Sequence, residues 1–280
     1  MRIAAMGDIH SNHIALEACM RWVYQNDIDG IAFLGDYVSD CPYPQKTMRI
    51  LRNIPPAYKT WFVRGNREDY MLEHRRNLTE GWEYNSQSGS LLYTFENLTG
   101  GDLRFLEDMP IGMEIKLDGY PPLSICHGSM QNARELFCGD SPKTREVMDE
   151  MTTELLICAH CHRPYEFTRG RKTIVNGGTV GIPCNGQTAA QFILAESAGG
   201  GWKTQLISVP YDNEAVVAEF YESGLIDLAN VWSRTIIAML KTGRHYNKEC
   251  LQLIRRLCEE RGEDFGCEEI WREAAETLGI

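Results

Sequence analysis

The run Arg2-Ile-Ala-Ala-Met-Gly-Asp8-Ile-His10-Ser-Asn12-His13 decides how the rest of the chain is read. Arg2–Met6 is a short, largely apolar run stopped by a glycine, which predicts a buried strand. Ser11 and Asn12 are N-cap types, and Ile14, Leu16, Cys19, Trp22 and Val23 follow at helical spacing. Between strand and helix sits Gly7-Asp8-Ile9-His10, a carboxylate and an imidazole two residues apart. On an extended chain that spacing turns both side chains to one side. In open α/β folds ligands gather at the carboxyl ends of strands, which is where this pair falls.

Working outward, the same strand–helix rhythm continues. Ile31–Leu34 and Thr60–Val63 read as strands, Lys46–Asn53 as a helix stopped by Pro55-Pro56, and two more helices are expected between Glu68 and Leu106. After Pro110 strands dominate: Gly112–Leu117, Leu123–Cys126, Leu155–Ala159, Thr173–Val175, Ala190–Ala195 and Thr204–Val209, with Ala198-Gly-Gly-Gly201 as a hairpin connection. From Asp212 the strand signals stop. Ala215–Tyr221, Val231–Leu240, Lys248–Glu260 and Glu268–Leu278 read as amphipathic helices. The fold class expected is α/β, a two-sheet α/β/β/α sandwich over residues 1–210, with a helical C-terminal appendage over 211–280.

Further polar clusters repeat the first at the ends of predicted strands: Gly35-Asp36, Gly65-Asn66-Arg67-Glu68, His127-Gly128 and His160-Cys161-His162. All consist of metal-ligand types, namely carboxylate, imidazole and amide oxygen. Composition narrows the remaining classes. The chain has 280 residues and a net charge of −11, so a general grip on nucleic acid is not expected. Residues 211–280 alone carry 14 acidic against 8 basic side chains, an excess expected to lie away from the motifs. No apolar run approaches a membrane span, and the early Asp8 argues against a signal peptide. With ten scattered cysteines, a reducing, cytoplasmic setting is expected. Cys158 and Cys161 read as core cysteines, since no second C-x-x-C follows.

Taken in order, D-x-H, G-D, G-N, H-G and A-H-x-H resemble the calcineurin-like metallophosphoesterase superfamily, as does the turn Asn176-Gly-Gly-Thr-Val-Gly-Ile-Pro183. The resemblance spans roughly the first 185 residues. It implies two divalent ions (Mn²⁺, Fe²⁺/Fe³⁺ or Zn²⁺), one held by Asp8, His10, Asp36 and His162 and the other by Asp36, Asn66, His127 and His160. Asp36 would then bridge, because two cations about 3.5–4 Å apart need a shared anion. The activity implied is a phosphohydrolase working through metal-bound hydroxide on a small phosphorylated substrate, with a phosphodiesterase or nucleotide phosphohydrolase preferred. Asp36 and Arg67 are the expected catalytic residues, and Asn66, Arg67 and Arg134 the expected substrate contacts.

One departure bears on mechanism. Where much of the family has a histidine after the asparagine, this chain has Arg67. An arginine keeps its proton at neutral pH and so grips phosphate without acting as an acid. His13 is the candidate substitute acid. Two alternative functions stand beside the enzyme reading. A protein Ser/Thr phosphatase is disfavoured because Asp40-Cys41-Pro42 replaces an arginine-bearing stretch, and a catalytically weak protein-interaction module is disfavoured because all seven ligands are present. Asp40, Glu68 and Asp69 read as solvated loop carboxylates, Glu68 having the better claim on the site. His74 and His245 read as structural or surface rings. The C-terminal helices are a lid, a dimerisation element of a homo-oligomer, or a partner-docking surface.

Overall fold

Alternation along the first strand sets the layers. In β1 (Arg2–Met6), Ile3 and Ala5 pack between two sheets while Ala4 and Met6 pack against helices. The computed structural model describes residues 1–77 and 81–280; residues 78–80, inside the stretch expected to be helical, lie outside the described residues.

The chain continues through α1 (His13–Gln25), β2 (Gly30–Phe33), α2 (Pro44–Arg52), β3 (Lys59–Phe62), α3 (Asn66–Arg76), α4 (Gly89–Glu96) and α5 (Gly100–Glu107). It then forms β4 (Gly112–Ile115), β5 (Leu123–Cys126), α6 (Pro142–Glu150), β6 (Leu155–Cys158), β7 (Tyr165–Arg169), β8 (Lys172–Asn176), β9 (Ala190–Ala198) and β10 (Gly201–Val209). The last stretch is helical: α7 (Asn213–Glu222), α8 (Leu225–Leu228), α9 (Asn230–Thr242), α10 (Tyr246–Arg261) and α11 (Glu268–Leu278).

Two five-stranded mixed sheets result, in the orders β10-β9-β1-β2-β3 and β4-β5-β6-β8-β7. The central strands β1, β2 and β3 run parallel, as do β5, β6 and β8. Ile3, Leu34, Val63, Ile125, Ile157 and Val175 meet between the sheets. The outer face of the first sheet packs Phe33 and Met6 on Leu16, Met20 and Val23 of α1. The outer face of the second packs Leu156 and Ile174 on Val147 and Met148 of α6. The two-sheet α/β sandwich with C-terminal helices is thus the observed fold.

Local signals explain most boundaries. Asn12 caps α1, its side chain accepting from Ala15 N at 3.0 Å. Three elements are absent from the sequence reading: α6, β7 and the one-turn α8. α6 is announced only by Ser141-Pro142, whose serine caps Thr144 N, and it buries just Thr144, Val147 and Met148. β7 is a polar edge strand without an apolar run. The stretch expected to hold two helices before Leu106 holds three.

The C-terminal helices do not stand off from the body. Val216, Phe220, Ile236 and Met239 share one core with Cys41, Ile182 and Cys184, which follow the first and second sheets' motif loops. These helices therefore reach the motif loops through their apolar faces. Among the described residues no helix is long and apolar enough to cross a membrane.

Candidate metal centre

Five of the seven expected ligands have left-handed backbones: Asp8 (φ 54), His10 (φ 50), Asp36 (φ 51), His160 (φ 69) and His162 (φ 55). The strand alternation expected to aim Asp8 with His10, and His160 with His162, is therefore not what aims them. Both pairs lie past their strands, on loops. A left-handed L-residue costs roughly 1–2 kcal/mol, so the surroundings must hold each one. Asp8 N donates to Gly35 O at 3.0 Å and His10 N to Asp36 O at 2.9 Å. The Asn176–Pro183 turn supplies the rest. Asn176 Nδ2 donates to Ala159 O at 2.6 Å, while Thr179 Oγ1 and Gly181 N both donate to Asp8 O, at 2.8 and 2.9 Å. Gly181 is required by proximity, since a Cβ there would stand 1.8 Å from Ile9 O.

Two groups of ligand atoms converge: Asp8, His10 and His162, and Asp36, His127 and His160, the atoms within each lying within 4.8 Å of one another. Asn66 Oδ1 joins the second group, 3.1 Å from His127 Nε2. Asp36 faces both, with Oδ2 3.8 Å from His10 Nε2 and Oδ1 3.4 Å from His127 Nε2. The structure thus brings all seven expected ligands together.

The imidazoles are set for a cation. His127 Nδ1 donates to Leu34 O at 2.8 Å and His162 Nδ1 to Ile182 O at 3.2 Å, while His10 Nδ1 lies 2.8 Å from Asp40 Oδ2. Protons on these outer nitrogens leave each Nε2 lone pair facing inward. His10 Nε2 and His162 Nε2 are 3.1 Å apart, and His127 Nε2 is 3.2 Å from His160 Nδ1. Asp8 Oδ2 accepts from His160 N at 3.0 Å, but its buried Oδ1 has no hydrogen-bond donor. Facing lone pairs around an orphaned carboxylate oxygen fit divalent metal ions, and nitrogen–oxygen donors without thiolate suit borderline metals.

Electrostatics agree. Burial would raise Asp8, but His162, His127 and His10 outweigh it and hold its carboxyl well below the usual range. Burial, reinforced by the Asp8 charge, pushes Asp36 up to about 6. Burial and the Asp36 charge push Glu68 up to about 7. His160 is lowered to about 3 by burial and the neighbouring His127. Burial also lowers His127, whereas for His162 the Asp8 carboxylate overcomes burial and raises it. The raised carboxyls, Asp36 and Glu68, and the lowered imidazoles, His127 and His160, gather around one ligand group, where a cation would offset the buried negative charge.

Asp40 and Glu68 are not solvated, as expected of them, but buried at 1% and 0% exposure. Glu68 accepts from the backbone N–H groups of Asp36, Tyr37 and Gly65 at 2.7–2.8 Å, fixing the Asp36 turn against α3. Asp40 Oδ2 faces His10 and lies 3.1 Å from Arg67 Nη2, while Oδ1 accepts from Trp232 Nε1 at 2.7 Å. Against burial, Arg67 and Asp40 keep each other charged. No local sequence signal marks Asp40 as a site residue.

The cleft over the centre, about 230 Å³, is lined by five of the seven expected ligands (His10, Asp36, Asn66, His160 and His162) together with Asp40, Arg67, Leu136, Cys161, Ile182, His245 and Asn247. Sequence reasoning missed the last two. His245, expected to be a surface or structural ring, caps α10 and faces the cleft; burial and the nearby His162, Arg163 and Lys248 push it down to about 4. Arg134 does not line the cleft. It pairs with Glu73 at 2.5 Å and lies over Tyr70. His13 is also elsewhere, tied to Glu219 of α7 at 2.9 Å. His74 is structural, stacked on Trp82. Cys158 is a buried core cysteine, whereas Cys161 is a free thiol of intermediate exposure whose Sγ donates to Arg163 O at 3.4 Å.

Fold and site together define a phosphoester hydrolase whose seven candidate ligands sit at the carboxyl ends of two parallel sheet cores. A family model described as the calcineurin-like phosphoesterase superfamily domain matches residues 1–199, and the chain belongs to that superfamily. An uncharacterized protein of Methanocaldococcus jannaschii is 23% identical over 237 residues, covering 75% of this chain and 88% of its own. The crystal structure of a hypothetical protein from Pyrococcus horikoshii has a TM-score of 0.71 at 21% identity, covering 86% of this chain and 98% of that one. A metallophosphoesterase from Sphaerobacter thermophilus has a TM-score of 0.69 at 22% identity, covering 87% and 100%. At these identities the structural likeness speaks for the fold.

Proposed function

We propose that the chain is a two-metal phosphodiesterase or nucleotide phosphohydrolase acting on small substrates. Asp8, His10, Asp36 and His162 would hold one ion, and Asp36, Asn66, His127 and His160 the other, as Mn²⁺, iron or Zn²⁺. The observation that carries this reading is the Asp36 carboxylate, which faces both ligand groups. When bound, the two cations supply charge for the phosphate oxygens and acidify a water.

The chain's own residues do the rest. Asp8, Asp36 and Asp40 would repel a phosphate from this cleft, so Arg67 alone does not make it hospitable to an anion. Arg67 orients the phosphate instead. Asp40 fixes one end of its guanidinium, and its Nε is buried without a partner. Asp40 raises its pKa further, so Arg67 gives no proton to a departing oxygen. Leaving groups stable as anions are therefore favoured, which supports diesters and phosphoanhydrides over alkyl monoesters. Arg134, held by Glu73, takes no part in this account. Residues 1–210 and 211–280 are proposed to act together, because Trp232, His245 and Asn247 reach the cleft or its supports.

A series of aryl phosphodiesters of graded leaving-group acidity tests the Arg67 role on Mn²⁺-loaded protein. Rates should rise steeply with leaving-group acidity, and Arg67→His should flatten the dependence. An Arg67→His variant with unchanged rates and unchanged dependence contradicts it.

A further inference from the structure

Beyond the centre, the cleft opens into a second cavity of about 440 Å³. The two share Leu136, Cys161, His245 and Asn247, so the second cavity continues the first. Arg163, Lys248 and Arg255 line it as well. Lys248, Leu251 and Arg255 recur at i, i+3 and i+7 along α10, which places them on one face. The opposite face of that helix buries Cys250, Ile254, Leu257 and Cys258 in a core of its own.

Among the described residues, none of these three cations is paired with a carboxylate. Neighbouring arginines are: Arg244 with Glu249 and Arg256 with Glu260. In a chain of net charge −11, three unpaired cations around one cavity are a local reversal of sign. The neck between the cavities holds unpartnered buried atoms, His245 Nδ1 and Asn247 Oδ1. Leu136 and Leu251 give the second cavity apolar walls, and with the cleft it falls in the size range of small-ligand pockets, roughly 300–1,000 Å³.

We infer that this cavity binds a second anionic group of the substrate, a phosphate carried on a nucleoside-sized, partly apolar body. The inference rests on the proposed diester hydrolysis for what occupies the adjoining cleft. One phosphorus lies at the ligand groups, the connecting atoms pass His245 and Asn247, and the second phosphate is met by Arg163, Lys248 and Arg255. A phosphorylated dinucleotide has this form. A simple dialkyl or diaryl phosphate does not.

The test is calorimetric binding of a non-cleavable methylenephosphonate-linked diadenosine, with and without a 5′-phosphate, to Mn²⁺-loaded protein. Charge-assisted contacts predict that the added phosphate tightens binding about 10- to 100-fold. Lys248→Ala/Arg255→Ala, on the exposed face of α10, should erase most of that gain and leave the unphosphorylated ligand within about twofold. Turnover of bis(p-nitrophenyl) phosphate is read in parallel and should be unchanged in the double variant. No gain from the 5′-phosphate, or equal weakening of both ligands, overturns the inference. Absence of turnover in the parent protein with the gain intact contradicts the hydrolytic reading alone.

Discussion

Trp232 Nε1 donates a 2.7 Å hydrogen bond to Asp40 Oδ1 across 192 residues of sequence, tying α9 to the carboxylate that supports both His10 and Arg67. One oxygen of Asp40 serves the C-terminal helices and the other serves the site. The Trp232→Phe variant removes the donor together with part of the ring's packing. It should lose about 1.5–3 kcal/mol of stability, as for hydrogen bonds to charged groups. Asp40→Asn should act more strongly on the centre, weakening metal binding about 10- to 100-fold, the usual cost of removing a group that orients a ligand. Competition titration of Zn²⁺ against a chromogenic chelator measures the second effect, and denaturant unfolding the first. Unchanged Zn²⁺ affinity in Asp40→Asn would show that Asp40 does not position His10.

The turn after β8 is tested at Gly181. A methyl group there would stand 1.8 Å from Ile9 O, on the backbone between Asp8 and His10. Gly181→Ala should destabilise the fold by about 1–3 kcal/mol, as overpacking does, and should loosen metal binding together with it. The control is the exposed Gly186→Ala, where nothing lies within 4 Å of an added Cβ. Its φ is 81°, so only the cost of a left-handed alanine is expected. If Gly181→Ala is no more damaging than Gly186→Ala, the turn does not clamp the Asp8 loop as described.

Glu68 gives a pH dependence of definite sign in chelator-treated protein. Its pKa is raised from 4.5 to about 7, and that of Asp36 from 3.8 to about 6, by burial and their shared negative charge. Between these limits the folded chain binds more protons than the unfolded one, so the contribution is complete below about pH 4 and lost as pH rises through 6 and 7. The stability of the parent minus that of Glu68→Gln should therefore fall between pH 5 and pH 8, by on the order of 2 kcal/mol. Denaturant midpoints in chelator at each pH supply the difference. A flat or rising difference contradicts the assignment.

Much of the fold was legible because its signals are local. The apolar runs of β1, β2, β5 and β6, the Asn12 cap and the glycine-rich β9–β10 hairpin are each set by a few adjacent residues. The seven expected ligands were legible because loops at strand ends carry them in order. What aims them was not. The left-handed conformations of Asp8 and His162 depend on a turn more than a hundred residues from Asp8, and alternation along a strand was the wrong geometry for both. Asp40 looked solvated because its partners, His10, Arg67 and Trp232, come from three separate parts of the chain. His245 reads as a structural or surface ring, and Asn247 carries no signal, for the same reason. Their helix reads as an amphipathic segment, and only tertiary packing turns its start toward the cleft. β7 and α6 were missed because each buries too little to leave a periodic trace.

The central claim is that Asp36 joins two cations in a site that hydrolyses phosphodiesters. Its most direct test is the turnover of bis(p-nitrophenyl) phosphate by Mn²⁺-loaded parent protein and by Asp36→Asn, prepared and loaded alike. The account predicts clear turnover by the parent and a loss of about a thousandfold or more in the variant, on the scale of removing a principal electrostatic element of a site. Equal rates in the two proteins, or no turnover in either, would contradict it.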